Sequence, residues 1–193
     1  FGVILLAAGL GKRMQSSKPK ILSEISGRPM IFHLLDRIAE TGKPCSIALV
    51  VGYGHEEVRA AIAKESRFQK LDISYVHQAE QQGTGDAAKV AVQSEWGEKV
   101  TKRKIPILVL PGDSPLISSG LMQERADPRP RGSAMRLLTG TMLDPTGYGR
   151  VVRKGKDGPV TRIVEERDAQ ERERAIQEVA ASIYLFDSHF LKA

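Results

Sequence analysis

A single cysteine, few aromatic side chains and no long apolar run set the first limits on this chain. Cys45 alone cannot close an internal disulfide, so packing must hold the fold, and the reducing cytoplasm is its natural compartment. Cys45 itself reads as a small core residue. Aromatic residues make up only 5% of the 193, which leaves the chain without the aromatic-rich signature of RNA-binding modules. No apolar stretch reaches the ~20 residues that a membrane helix needs. The opening Phe1–Gly9 run has the character of a signal-peptide core. No basic residue precedes it, however, and Gly-rich basic sequence follows, so a buried strand is the better reading. His33, His55, His77 and His189 show no metal-ligand spacing, and none is assigned a catalytic role.

The composition includes a formal charge of +6. That balance suits either nucleic acid or small polyanions such as triphosphates. The cations gather at 12–20, 99–104 and 125–136 with no aromatic interleaving, so no nucleic-acid partner is expected. One large domain is the natural outcome for this length.

Strands and helices alternate along the first two thirds. Val3–Ala7, Ile47–Val51, Ile73–Val76 and Ile105–Leu110 are short apolar runs that fit buried parallel strands. Between them the pattern predicts helices from Pro29, over His55–Lys64 and over Asp86–Trp96, with Ile31, Leu34, Leu35 and Ile38 marking one apolar face. This order predicts an α/β fold with a mostly parallel sheet flanked by helices. Beyond Ser118 the character changes. Arg125–Gly132 reads as an exposed loop. Strand-like pieces follow at Met135–Leu143, Arg150–Arg153, Val160–Glu165 and Glu178–Phe186, with a charged helix or loop over Asp168–Ala175 and the start of a helix at His189–Ala193.

Two segments carry chemistry in their residue types. Leu6-Ala7-Ala8-Gly9-Leu10-Gly11-Lys12-Arg13-Met14 follows the first strand directly. Open α/β sheets bind ligands beyond the carboxyl ends of their strands. Glycines there let backbone N–H groups approach phosphate oxygens, and Arg13 adds a charged fork. The dinucleotide fingerprint fails because Met14 stands at its last glycine, and the P-loop pattern is absent. Gly9 and Gly11 alone serve a phosphate site or a plain βα turn equally well. Lys18-Pro19-Lys20 follows; Pro19 stiffens it, and Lys20 either grips a phosphate or is a solvated loop lysine.

Together, L-A-A-G-x-G-x-R-M and K-P-K-x-L resemble the signature of the sugar-1-phosphate nucleotidyltransferases. Further segments agree in order: Gln78–Ala87, Pro111–Leu116, Asp144–Val152, Ile163–Ala169 and Ile176–Val179. The resemblance covers nearly the whole chain and is closest to uridylyltransferases acting on N-acetylglucosamine 1-phosphate. It implies a Rossmann-like nucleotidyltransferase (GT-A-like) fold, a mixed, mostly parallel sheet flanked by helices. It implies one domain over residues 1–193, truncated at its C-terminal end, with the sugar-binding portion from about residue 134 onward.

The same resemblance implies the site. Leu6, Ala7, Ala8, Gly9 and Gly11 would bind the nucleotide, and Arg13, Lys20 and Asp113 would be catalytic. A Gln side chain offers an acceptor and a donor, so Gln78 can read a uracil edge bidentately. The Gly83 and Thr84 backbone would complete that contact, although Thr84 is also a good helix N-cap. Asp113 would hold Mg²⁺, which favours oxygen ligands, or would simply form a Gly-Asp-Ser-Pro turn. Gly112, Gly149 and Glu165 would face the sugar. The substrates implied are UTP and N-acetylglucosamine 1-phosphate, joined by in-line displacement of pyrophosphate. Another sugar, dTTP, or a non-catalytic nucleotide-sugar sensor are the alternatives. No membrane partner is expected. A homo-oligomer would form through a missing C-terminal domain.

The chain departs from the family pattern at several places. The last strand usually reads Glu-x-Asn-x-Gly, and here it is Glu178-Val179-Ala180-Ala181-Ser182. A Thr usually follows Gly11, where Lys12 stands. The His usual after Gly-Thr-Gly is Asp86, and the usual Tyr of the metal strand is Pro111.

Overall fold

The computed structural model describes residues 1–9, 11, 18–125, 134–155 and 158–188. Two compact units divide the chain. One comprises Phe1–Arg136 with Leu185–Ala193, the other Leu137–Tyr184.

In the first unit, β1 (Gly2–Leu6), β4 (Ser46–Val51), β5 (Asp72–His77) and β6 (Ile107–Pro111) form a parallel sheet in the order β5-β4-β1-β6. β1 is paired on both sides, Leu6 standing opposite Val50 and Pro111. Val3, Ile4, Leu5, Ile47, Leu49, Ile107 and Leu110 are fully buried, which is why these strands read as unbroken apolar runs. Helix α1 (Met30–Glu40) buries Ile31, Leu34, Leu35 and Ile38, the face that its spacing predicts. Helix α2 spans His55–Ala63.

A small hairpin precedes α1. Its strands β2 (Glu24–Ile25) and β3 (Arg28–Pro29) pair antiparallel. Ser26 and Gly27 both take positive φ (52° and 73°), as a two-residue turn of type I′ requires.

Three expectations need correction. Asp86–Trp96 is not one helix. It is divided between α3 (Thr84–Gln93) and α4 (Glu95–Lys102), with Ser94 extended between them. The Ser94 hydroxyl accepts from the Gly97 N–H at 3.4 Å and so caps the second helix. Apolar periodicity runs through this corner and hides it. Thr84 is not an N-cap; Gly83 holds that position at φ 108° and Thr84 begins the helix. Cys45 is half-buried rather than core, and burial raises its thiol pKa. A short helix α5 (Ser119–Arg125) was not foreseen. The Arg/Pro-rich segment 126–133 and the helix start expected at 189–193 lie outside the described residues.

The second unit is antiparallel. β8 (Arg150–Arg153) lies between β9 (Val160–Val164) and β10 (Glu178–Phe186), and β7 (Met135–Thr141) pairs with β10. Glu166–Asp168 forms a 3₁₀ turn and Glu171–Arg174 a short helix, α6. The charged stretch between β9 and β10 is thus partly helical. With parallel and antiparallel pairing in one chain, the sheet content is mixed.

Two substitutions test this packing. A Cβ on Gly97 would sit 2.0 Å from the Val92 carbonyl oxygen, and backbone cannot yield as a flexible side chain can. Gly97→Ala is expected to cost about 2 kcal/mol or more, lowering the melting temperature by roughly 4–8 °C for a chain of this size. Ser182 stands where the family pattern has glycine, and its φ is 57°. Ser182→Gly relieves a left-handed L-residue and is expected to raise stability by roughly 0.5–1 kcal/mol in the same thermal assay, after the glycine's added unfolded-state entropy.

Candidate functional site

The order β5-β4-β1-β6 places a switch point between β1 and β6, because the connections leave β1 toward β4 on one side and later return on the other. A crevice opens at such a point, beyond the carboxyl ends of the strands. Residues that follow β1 and β6 meet there. The Gly112 N–H donates to the Leu6 carbonyl at 2.8 Å. A Cβ on Gly112 would lie 2.8 Å from that oxygen, so glycine lets the two strand ends approach. Ala7 donates to Val50 at 2.9 Å and extends β1 by one residue. Gly9 is exposed, with open space where a side chain would be.

Lys20 and Asp113 come together here as a direct ion pair. Their side chains retain 34% and 36% exposure, so both remain reachable from solvent. A pair this exposed adds only about 0.2–1 kcal/mol to stability; its consequence is positional. Lys20 opens a 3₁₀ turn over Lys20–Leu22, with Pro19 before it. Pro19 is buried and packs on Gly54, whose φ is 67°; a Cβ there would come within 2.4 Å of the proline Cγ. Gly11 turns at φ 57° directly against the Lys20 stem. The proline of Lys18-Pro19-Lys20 is therefore an anchor that delivers Lys20 to Asp113. Arg13, with Leu10, Lys12 and Met14, lies outside the described residues.

The segment Gln78–Thr84 lies at the end of β5. The Gln78 N–H donates to Val51 at 2.8 Å. Gln81 lies over Gly52, whose missing side chain also leaves room for Ala8. The loop after β5 is thereby tied to the loop after β1. A cleft of about 390 Å³ opens here, between Gly52–His55 on one side and His77, Ala79 and Gln81 on the other. The rings of His55 and His77 pack with centroids 4.7 Å apart; sequence reasoning passed over both because their contact joins separate elements. Gln78 is 3% exposed, and its amide nitrogen is already engaged by Asp86 at 2.6 Å and the Gly83 carbonyl at 3.4 Å. The bidentate reading of Gln78 is reduced in this structure to its carbonyl oxygen.

In the second unit, Gly149 and Glu165 are neighbours. A Cβ at Gly149 would lie 3.5 Å from Glu165 Oε1 and 3.0 Å from Ile163. Tyr184 joins them: burial raises its pKa first, and the nearby Glu165 charge adds to the shift. Ala180 donates its N–H to the Gly149 carbonyl at 2.9 Å, so the backbone is in place where the family asparagine side chain is missing. Arg150 is buried beneath this turn. Its guanidinium donates to the Tyr148 carbonyl and pairs with Glu166 at 2.7 Å. Glu166 also accepts the Gly147 N–H at 3.1 Å. One carboxylate thus holds the 147–149 turn by side chain and backbone. Sequence reasoning missed both residues, since nothing in a charged stretch distinguishes Glu166 from its exposed neighbours.

Among the described residues no group of three or more His, Cys, Asp or Glu side chains could hold a metal ion. A cation such as Mg²⁺ needs no such cage. One or two carboxylates plus substrate phosphates and waters suffice, and the half-exposed Asp113 fits that donor set.

The first unit is thus an α/β layer with a parallel sheet, whose switch point brings glycine-rich strand ends and the Lys20–Asp113 pair together. The family model of the MobA-like NTP transferase domain matches residues 3–154, and the chain belongs to that family. Similar proteins include one named bifunctional protein GlmU from Bordetella petrii, 44% identical over 184 residues, covering 94% of this chain and 37% of that protein. Another of the same name, from Thermoanaerobacter pseudethanolicus, is 37% identical over 190 residues, covering 98% of this chain and 38% of its own length. The chain therefore spans under two fifths of these relatives. Among solved structures, a putative glucose-1-phosphate thymidylyltransferase from Bacillus anthracis superposes with a TM-score of 0.72 at 18% identity, over 98% of this chain and 72% of that one. The fold is that of the sugar nucleotidyltransferases.

The Glu166 clamp gives a pH prediction. The Arg150 hydrogen bond, then that from Gly147, lowers the Glu166 pKa. A carboxylate whose folded pKa lies below its unfolded value, about 4.3 for glutamate, stabilises fully above the unfolded value. It loses that contribution as pH falls through the folded one. Melting temperature is expected to fall more steeply below about pH 4.3 in the wild type than in Glu166→Gln. Glu166→Gln is already less stable at pH 7 because the buried Arg150 loses its counter-charge.

Proposed function

We propose that this chain is the nucleotidyl-transferring part of an enzyme that moves a uridylyl group from UTP to N-acetylglucosamine 1-phosphate. The products are UDP-N-acetylglucosamine and pyrophosphate. The observation that carries this reading is the Lys20–Asp113 pair at the glycine-lined switch point. The sequence resemblance supplies the choice of sugar and nucleotide, and the similarity to the GlmU proteins agrees with a sugar nucleotidyltransferase.

A sugar phosphate oxygen would attack the α-phosphorus, and pyrophosphate would leave in line. Such transfer depends on positioning and charge neutralisation rather than covalent chemistry. The Leu6–Gly11 loop would present backbone N–H groups to phosphate oxygens. Lys20, with Arg13, would offset charge on the transferring phosphoryl group and the leaving pyrophosphate. Asp113 would hold Mg²⁺, which when bound supplies charge neutralisation between the two phosphates. The Lys20–Asp113 ion pair holds the two charges side by side.

The Gln78–Thr84 segment would receive the base. The second unit would be the sugar-binding portion, with Gly149 letting the sugar approach the backbone and Glu165 accepting from its hydroxyls. Ala180 favours a second reading, a different sugar on the same chemistry, because the asparagine contact is lost. No described helix is long and apolar enough to cross a membrane, and the cytoplasm, where nucleotide pools are held, is the proposed compartment.

The test is pyrophosphate release by the full-length protein with Mg²⁺ across a panel of triphosphates and sugar 1-phosphates. Turnover is expected with UTP and N-acetylglucosamine 1-phosphate. Lys20→Ala is expected to lower kcat about 100-fold or more, with little change in melting temperature. An active Lys20→Ala enzyme removes that assignment.

A further inference from the structure

We infer that Asp86 is a positioning residue that locks the Gln78 carboxamide so that the site accepts uracil or thymine and rejects cytosine. This rests on the proposal that the segment after β5 receives the base. Gln78 Nε2 donates to Asp86 Oδ2 at 2.6 Å and to the Gly83 carbonyl at 3.4 Å. Both partners offer only acceptors, so the amide nitrogen must face them and cannot be exchanged with its oxygen. No described residue hydrogen-bonds Gln78 Oε1. With its nitrogen directed at Asp86 and Gly83, a lone acceptor is what the side chain has left to offer a ligand.

The base chemistry follows. Uracil and thymine carry an N3–H between two carbonyls and can donate to Oε1. Cytosine has a bare N3 lone pair there and would face acceptor with acceptor. A glutamine free to rotate its amide could serve both bases. Asp86 removes that freedom, and with it the cytosine-binding orientation. Asp86 is the third residue of α3 and half-buried, so the helix fixes the carboxylate relative to the end of β5.

The experiment is calorimetric binding of UTP and CTP to full-length wild type, Asp86→Asn, Asp86→Ala and Asp86→Glu, with melting temperatures measured alongside. Wild type is expected to favour UTP by about 30-fold or more, the scale of a site whose hydrogen bond is matched by one ligand and opposed by the other. In Asp86→Asn the new amide can accept or donate, Gln78 can turn, and the preference narrows to about 5-fold or less. Asp86→Ala narrows it likewise, and Asp86→Glu keeps most of it. A purely structural role would lower melting temperature and weaken both nucleotides alike. An unchanged UTP/CTP ratio in both Asp86→Asn and Asp86→Ala overturns the inference, and so does a wild type that does not discriminate. Either result with uridylyl transfer intact leaves the proposed function standing. Selective, Asp86-dependent UTP binding without pyrophosphate release sinks the transferase reading instead and leaves the role of Asp86 in place.

Discussion

Strand β1 is hydrogen-bonded in parallel on both sides, and the candidate crevice of the first unit takes its position from that arrangement. Its neighbour β6 ends level with it and β4 runs one residue further, with Val50 and Pro111 opposite Leu6. The loops that follow are forced apart at one point. Three glycines then set how closely they approach: Gly112 against Leu6, Gly52 against Ala8, and Gly54 beneath Pro19. Side-chain bulk at these positions would push the loops outward. The Lys20–Asp113 pair is the chemical result of this backbone geometry and contributes little to stability itself.

The second unit solves a different problem with a different device. Its strands are partly exposed, so apolar burial is thin, and ion pairs carry more of the definition. Arg150 is buried against Glu166. Arg153 makes a two-pronged contact with Glu178 at 2.7 Å on both arms. Arg162 pairs with the buried Glu173, which also accepts the Gln170 N–H at 2.9 Å. Each of these pairs is only partly buried, so it adds little net energy, but an alternative that left buried Arg150 or Glu173 unmatched would be penalised. Here they fix the Gly147–Gly149 turn and the segment joining β9 to β10, where Gly149 and Glu165 stand together.

The departures from the family pattern acquire physical content in this setting. Asp86, in place of histidine, holds the Gln78 amide. Ser182, in place of glycine, keeps the left-handed backbone that glycine would take without strain. Ala180, in place of asparagine, preserves the main-chain hydrogen bond to Gly149 and loses only the side chain.

Much of the architecture was legible from residue order. β1, β4 and β6 are apolar on both faces, so Val3–Leu5, Ile47–Val51 and Ile107–Leu110 announce themselves, while the edge strand β5 buries only Val76. The α1 face and the glycine loop are equally local signals. The α3–α4 corner was not legible, because Ser94 breaks the helix without interrupting the apolar spacing. The hairpin at Ser26-Gly27 is too short for any periodicity. What the chain determined by itself was which segments are strands or helices and which residues carry charge suited to phosphate, since these depend on neighbours three or four positions away. Only the tertiary structure decided that Lys20 meets Asp113 and that Gln78 meets Asp86. It also chose which of many glutamates shields Arg150. Such pairings depend on how separate elements come together in three dimensions, and no local spacing encodes that.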